Sequence, residues 1–425
     1  MLSRPAALAA LVVALVAGSP ARADDRLTLD DAFARVAATH PDLRLPALRE
    51  QALAAELETA SQRPALRAGI ELENVLGTGD YAGLDNAELT LSLASVLERG
   101  GKRDARRALA QSRIDALAPE REAARLDLLA ETARRYLDVV AAQRQRDLAD
   151  ADIAQRRRTV AAAQHRFDAG ASPESVVLTA QAALARAELE RRRAQQAQEA
   201  ARQHLAALWG EREPRFDLAP QDPLALPMIA DFDVLASLLE RTPDLARFAD
   251  QRRIGEARLQ LARSQAKTDV DWQFGARAFN GTDDVALIAG VSMPLGGTRR
   301  AQPEIRAAQT ELAMLEVERE SRGLSLYSTL VEAHGRYRVA QLEVLRLRDD
   351  VLPKLARAEA AAERAYRAGA ISYLEWAQLQ SERTATARQQ LDAALDARRA
   401  LIEIQRLTGE ALVLPARSME QGVSP

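Results

Sequence analysis

The stretch YRAGAISYLEWAQLQ, residues 366–380, sets a lone Gly369 between two segments of Ala, Arg, Glu and Leu that otherwise read as unbroken helix. FDAGASPESVVLTAQ, residues 167–181, repeats the figure without a gap 199 residues upstream, with a leading aromatic, the same Ala-Gly-Ala and the same trailing Gln. Glycine accepts the positive φ of a helix C-cap that larger residues resist, so each stretch is the turn of a helical hairpin. The chain makes that turn twice and is read as a duplication.

Upstream of Gly170 nothing but Pro119 interrupts a helical pattern from Arg103 to Asp168. At 1.5 Å per residue those residues make a rod roughly 100 Å long. Leu126, Leu129, Ala133, Leu137 and Val140 fall at three-four spacing, and Ile153, Val160 and Phe167 at sevens, which is a coiled-coil seam. Past the turn, Ser172 is the expected cap and Pro173 the first residue of a helix reaching about Trp209. In the second half a rod of about 70 residues reaches Ala368, and a helix follows Gly369 to about Gly409.

Away from the turns the period changes. A helix over Leu29–Glu58, with Thr28 as N-cap and Asp30 and Asp31 in its first turn, ends before Pro64. From Ala68 to Val75, Ile70 and Leu72 alternate with Glu71 and Glu73. After a loop over Gly77–Asn86, Leu89, Leu91 and Leu93 alternate with Glu88, Thr90 and Ser92. A second helix, Phe232 to about Lys267, carries Thr242-Pro243-Asp244-Leu245 in echo of His40-Pro41-Asp42-Leu43. Trp272, Phe274, Ala276 and Ala278 then alternate with Asp271, Gln273, Gly275 and Arg277, and a fourth strand holds Val285, Leu287, Ala289, Val291 and Met293. The resulting plan is a signal peptide at 1–23, a first repeat at 24–212, a linker at 213–231, a second repeat at 232–410 and a tail at 411–425.

Composition bounds what such a chain does. Aromatics at 4 % suit something long and thin rather than an ordinary globular core. A net charge of -3, and arginine runs without interleaved aromatics, exclude nucleic acid as a partner. Arg4, the apolar run Ala6–Ala17 and Ala21-Arg22-Ala23 have the form of a secretory signal cleaved near Ala23. With no cysteine there is no disulfide, thiolate metal site or acylated first residue. His40, His165, His204 and His334 are scattered, and no phosphate loop or nucleophile elbow occurs, so no catalytic residue, metal or cofactor is expected. No later segment has the roughly 18 apolar residues of a spanning helix, so the chain either stays in the periplasm or enters a membrane as strands.

Apolar and polar residues alternate in these strands as in a transmembrane barrel. Four strands cannot close, and open edges in hydrocarbon leave backbone groups unpaired, so closure requires other copies. Two copies give eight strands and a filled interior, while three give twelve and a watery pore. Glu71, Glu73, Glu88, Asp271 and Arg277, expected to face the lumen, suit water, which favours the homotrimer. The fold class is thus mainly α with a small β part: long coiled-coil helical hairpins plus four transmembrane strands per chain, forming a 12-stranded β-barrel and an α-helical barrel as a trimer.

The entry LTLDDAFARVAATHPDLR at 27–44, the junction LERGGKRDAR at 97–106 and its counterpart PLGGTRRAQPEI at 294–305 resemble, in that order, the TolC-like outer-membrane factors, and the Gly-Gly-Lys-Arg junction resembles their heavy-metal, CzcC-like branch. The resemblance implies a passive exit duct in the cell outer membrane that reaches into the periplasm. Its implied partners are a periplasmic adaptor, an inner-membrane RND-type pump and outer-membrane lipid, and its implied cargo is heavy-metal cations or drugs. It implies adaptor docking at the tips, carried here by Ala169, Gly170, Ala171 and Ser172 and by Ala368, Gly369, Ala370, Ile371 and Ser372. It also implies a periplasmic aperture at Glu375 and Gln378. Gln378 stands where drug-exporting members have a second acid, and Ile371 where they have a basic residue. Glu375 either forms an aperture ring or simply solvates a helix face. The competing reading is a soluble periplasmic coiled-coil adaptor or scaffold without a pore.

Overall fold

The computed structural model describes residues 26–412. The signal segment 1–23 with its cleavage near Ala23, and the tail beyond Leu412, lie outside the described residues.

The first half opens on β1 (Arg26–Leu27) and α1 (Leu29–Thr39). At the α1 start the Thr28 hydroxyl accepts from the Asp31 N–H at 3.1 Å, and the Asp31 carboxylate accepts from the Thr28 N–H at 3.0 Å. This reciprocal cap pairs two amides that a helix start leaves bare. The helix expected over 29–58 is in fact two, because Pro41 has no N–H to donate and holds His40 extended. Pro41–Leu43 forms a 3-10 turn, and α2 (Leu45–Ser61) begins afresh. Next come β2 (Arg67–Glu73) and β3 (Glu88–Leu97). The first rod is α3 (Lys102–Asp115) and α4 (Leu117–Asp168), parted at Ala116. Pro119 does not break it, since it stands in the first turn of α4, where a missing N–H leaves no bond unmade. After the turn, α5 (Glu174–Ala206) runs back.

The linker is more structured than its proline content suggests. Its β4 (Asp217–Leu218) pairs in parallel with β1. Farther on it straps across the helices. The Tyr337 hydroxyl donates to the Pro227 carbonyl, and the Arg398 guanidinium, only 2 % exposed, donates to the carbonyls of Asp222, Pro223 and Ala225. These carbonyl dipoles offset part of the cost of burying the cation, through Nε and Nη2, while Nη1 has no hydrogen-bond partner among the described residues.

The second half repeats the plan. α6 (Phe232–Leu238) and α7 (Pro243–Gln265) are parted just before Pro243, as their counterparts are at Pro41. β5 (Val270–Phe279) and β6 (Asp284–Ser292) follow. The second rod is α8 (Gly297–Arg346), a π-turn over Leu347–Val351, and α9 (Leu352–Arg367). The wider turn accommodates Pro353, whose ring an α-helix could not accept without a clash. α10 (Tyr373–Thr408) closes the repeat.

In each half the two shorter helices lie in succession along the rod: α2 on α3 and α5 on α4, then α7 and α10 on α8. The halves interlock through α3 against α7 and α4 against α10. At the waist, Leu27, Val36, Tyr136, Leu205 and Ile402 form one core, and Leu235, Phe248, Leu330, Tyr337 and Ile404 another.

Candidate functional site: an amphipathic sheet and two hairpin tips

The four long strands form one antiparallel sheet in the order β2-β3-β5-β6, with β3 beside β5 joining the halves and β2 and β6 as its edges. Register assigns the faces. Ile70, Leu91, Ala276 and Leu287 stand in one cross-strand row, and Leu72, Leu89, Ala278 and Val285 in the next of that face. Glu71, Thr90 and Arg277 share a row on the opposite face, as do Glu73 and Glu88. None of the described residues covers the apolar face: Leu287 is 89 % exposed and Ile70 78 %. A soluble sheet would turn this face to a core.

All five residues expected in the lumen, Glu71, Glu73, Glu88, Asp271 and Arg277, lie on the polar face. Three of them meet. Arg277 reaches Glu73 and Glu88 at 2.7 Å each and donates to the Thr90 hydroxyl at 2.9 Å. One guanidinium thus ties together three strands from both halves. Glu71 and Asp271 stand apart from this cluster.

The Gly-Gly-Lys-Arg junction sits where strands become rods. Gly100 and Gly101 take φ of +79° and +71°, which swings the chain out of β3 into α3. Lys102, buried, then pairs with Asp269 at 2.8 Å, and the same carboxylate accepts from the Arg99 N–H at 3.0 Å. The motif fastens the first half to the second just below the sheet.

Both hairpin turns are Schellman caps. Gly170 and Gly369 have φ of +71° and +79°, and the Ala171 and Ala370 N–H groups reach back to the Arg166 and Ala365 carbonyls at 2.8 Å each. Ala169, Gly170, Ala171, Ala368, Gly369, Ala370 and Ser372 are exposed, and Ser172 and Ile371 partly so. The two tips lie side by side. The Arg166 guanidinium donates to the Tyr366 and Ala171 carbonyls and stands 4.9 Å from the Tyr366 ring centroid. Beneath it Ala163, Val177, Ala180, Ala362, Tyr366, Tyr373 and Trp376 form a shared core.

The caps differ from expectation. Ser172 does not cap α5; Pro173 holds that position without a side-chain bond, so the helix begins one residue later. Ser372 does cap α10, and Glu375 is its partner. The Glu375 Oε2 accepts from the Ser372 N–H and hydroxyl at 2.8 Å each, and the Glu375 N–H donates to the Ser372 hydroxyl at 3.3 Å. These bonds, the backbone one first, hold the Glu375 carboxyl below its ordinary range. Glu375 and Gln378 are both exposed, and Gln378 lines a groove between α5 and α10. Sequence reasoning passed over Arg166, Tyr366 and Trp376. Three aromatics within residues 366–376 of an aromatic-poor chain, together with the Ser-x-x-Glu spacing, were the available signals.

Among the described residues no helix is long and apolar enough to cross a membrane. Residues 26–211 match the model of the outer membrane efflux protein family. The chain is 29 % identical over 281 residues to the cobalt-zinc-cadmium resistance protein CzcC of Cupriavidus metallidurans, spanning 66 % of this chain and 67 % of that protein. Its fold superposes on CusC with a TM-score of 0.75 at 16 % identity, covering 90 % of this chain and 92 % of CusC. On the outer-membrane channel OprN the TM-score is again 0.75, at 20 % identity with 90 % of each chain covered. The first repeat thus matches the outer membrane efflux protein model, the chain is similar in sequence to CzcC, and its fold is that of CusC and OprN.

Proposed function

We propose that this chain is the outer-membrane exit duct of a tripartite efflux system. Three copies close a 12-stranded barrel over a helical tube that conducts passively what an inner-membrane RND-type pump delivers through a periplasmic adaptor. The observation that carries the reading is the sheet: among the described residues one face is apolar and uncovered, the other charged, and both edges, β2 and β6, are free. Lipid accounts for the apolar face, water for the charged one, and sister copies for the edges.

The rods support the same assembly. α8 buries Leu326, Leu330, Ala333, Tyr337, Ala340 and Val344 against its own chain at four-three spacing, and Leu347 of the π-turn continues it. About 200° around the helix, Val317, Leu324, Val331, Leu342 and Leu345 keep the same rhythm and are exposed. A helix with apolar seams on opposite sides is an inner member of a ring, so a neighbouring copy belongs on the second seam.

The polar face carries Arg67 and Arg277 against Glu71, Glu73, Glu88, Asp271 and Asp284, two positive charges to five negative, or -3 per chain. A lumen so charged favours cations, which agrees with the metal-cation resistance in CzcC's name. The exposed backbone and small residues at 169–172 and 368–372 suit a helical adaptor, and Glu375 and Gln378 line the periplasmic aperture. Mature protein in detergent should sediment as a trimer and conduct ions in planar bilayers. A monomer without conductance, released by osmotic shock, would instead identify a soluble scaffold.

A further inference from the structure

One titratable group has no part in the duct described so far. Glu359 of α9 is 3 % exposed and lies in a polar layer where α4, α9 and α10 meet. It stands ten residues before Gly369, roughly 15 Å up the helix from the tip. Its Oε1 accepts from Gln155 of α4, and its Oε2 is 2.8 Å from Arg383 of α10. Arg158 in turn donates to Gln155. Adjoining rungs continue the layer. Thr159 and Gln380 exchange hydrogen bonds, and Asp152 accepts from Thr384 and Arg156.

The partners divide by hairpin. Arg383 belongs to the same hairpin as Glu359 and stays with it if the two hairpins separate. Gln155 belongs to the other hairpin, whose packing keeps water out. Separation would therefore keep the ion pair and remove the burial. A buried ion pair gains solvation when exposed, and the Coulombic attraction need not outweigh that gain. A neutral carboxyl gains far less.

We propose that Glu359 is a proton-sensitive latch between the two hairpins: its carboxylate favours their parting, and its protonation favours their packing. This rests on reading the tip as the entrance of the duct. The groups facing Glu359 are Asp152, Arg156 and Arg158 on α4, Glu363 on its own helix, and Arg383 on α10. Burial pushes the Glu359 carboxyl above its ordinary range; Arg383 and Arg158 pull it down, and Glu363 and Asp152 push it up. A group raised in the packed state stabilises packing fully below its ordinary value, and the contribution is lost as pH rises through the raised one. Acidification therefore closes the tip.

The test is single-channel recording of the full-length trimer, with hydrogen exchange over residues 152–160 and 376–384, between about pH 8 and about pH 5. The wild type should lose at least about threefold in open probability across that interval, and exchange should slow in step. Glu359→Gln keeps the side chain's size and its contact with Gln155 while removing the charge. It should lie closed across the interval, with slow exchange and no pH dependence. Arg383→Gln should move the wild-type transition to higher pH, because the carboxylate loses its directly paired counter-charge. A Glu359→Gln channel as open as the wild type, or equally pH-dependent, overturns the latch. If no form conducts but exchange follows Glu359 as described, the duct reading fails and the latch survives.

Discussion

The sheet and the hairpin tips stand at opposite ends of the rods and are built on opposite principles. At the tips both repeats contribute to a core the chain fills by itself, the first with Ala163, Val177 and Ala180 and the second with the aromatics, Trp376 lying at 0 % exposure against Tyr366. At the sheet both repeats contribute strands, yet no second layer among the described residues covers them, and Leu287 and Ile70 face outward. The tip thus finds its stabilisation in its own side chains, whereas in the proposed assembly the sheet would find it in lipid and neighbouring copies. Large stretches of apolar surface on a chain that otherwise folds well are thus a statement about environment rather than a packing fault.

The sharpest break of that contrast is Leu287→Arg. In an isolated chain the change alters an already exposed side chain and should leave helix content and thermal melting unchanged. In the membrane, an arginine at mid-depth on the lipid face costs about 2–4 kcal/mol per copy, and three copies carry it together. Trimer yield in outer-membrane fractions should fall steeply while the detergent-solubilised monomer remains folded. Equal loss in both would mean that the face packs against protein.

At the other end, Trp376→Ala removes the largest fully buried side chain from the tip core. Such truncations cost about 3–5 kcal/mol. The loss should be local: faster hydrogen exchange over residues 160–180 and 362–380, with exchange in the strands and barrel assembly unaffected. Strand exchange rising to match would tie the two ends into one cooperative unit and erase the distinction between them.

The two ends also differ in how far their sequence reveals them. The strands were legible because alternation of Ile70 and Leu72 with Glu71 and Glu73 is a local pattern with a period of two. Their facing residues followed with it. The union of Glu73, Glu88 and Arg277 was not legible, because it depends on β3 lying beside β5, a pairing between distant strands. The turns at Gly170 and Gly369 were plain, but Arg166 reaching Tyr366 depends on two hairpins standing side by side. Pro41 and Pro243 divided helices that the apolar pattern ran straight through, since one missing N–H weighs more than periodicity. At Ala116 no glycine or proline announces the break, and β1 and β4, two residues each, are too short for any period.

The smallest effect separates the two tips from each other and tests the aperture with them. Ser372→Ala removes the α10 cap and should cost about 1 kcal/mol, whereas Ser172→Ala, at a serine that caps nothing, should stay within about 0.5 kcal/mol. Both are read from chemical denaturation of the tip, followed by a fluorescent label at the turn. Because bonding from Ser372 lowers the Glu375 carboxyl in the folded state, its share of the cap is complete above the ordinary carboxylate range and is lost as pH falls through the lowered value. Ser372→Ala should therefore matter less in acid, while Ser172→Ala stays flat. Glu375→Gln then splits the residue's two roles, since glutamine at this position can still accept from the Ser372 N–H and keep the reciprocal cap. If Glu375 also forms the aperture ring, this variant retains tip stability while reversal potentials in a salt gradient move toward lower cation selectivity. Unchanged potentials with an unchanged cap would leave Glu375 a capping residue alone, and cation preference would then have to come from the charged face of the sheet.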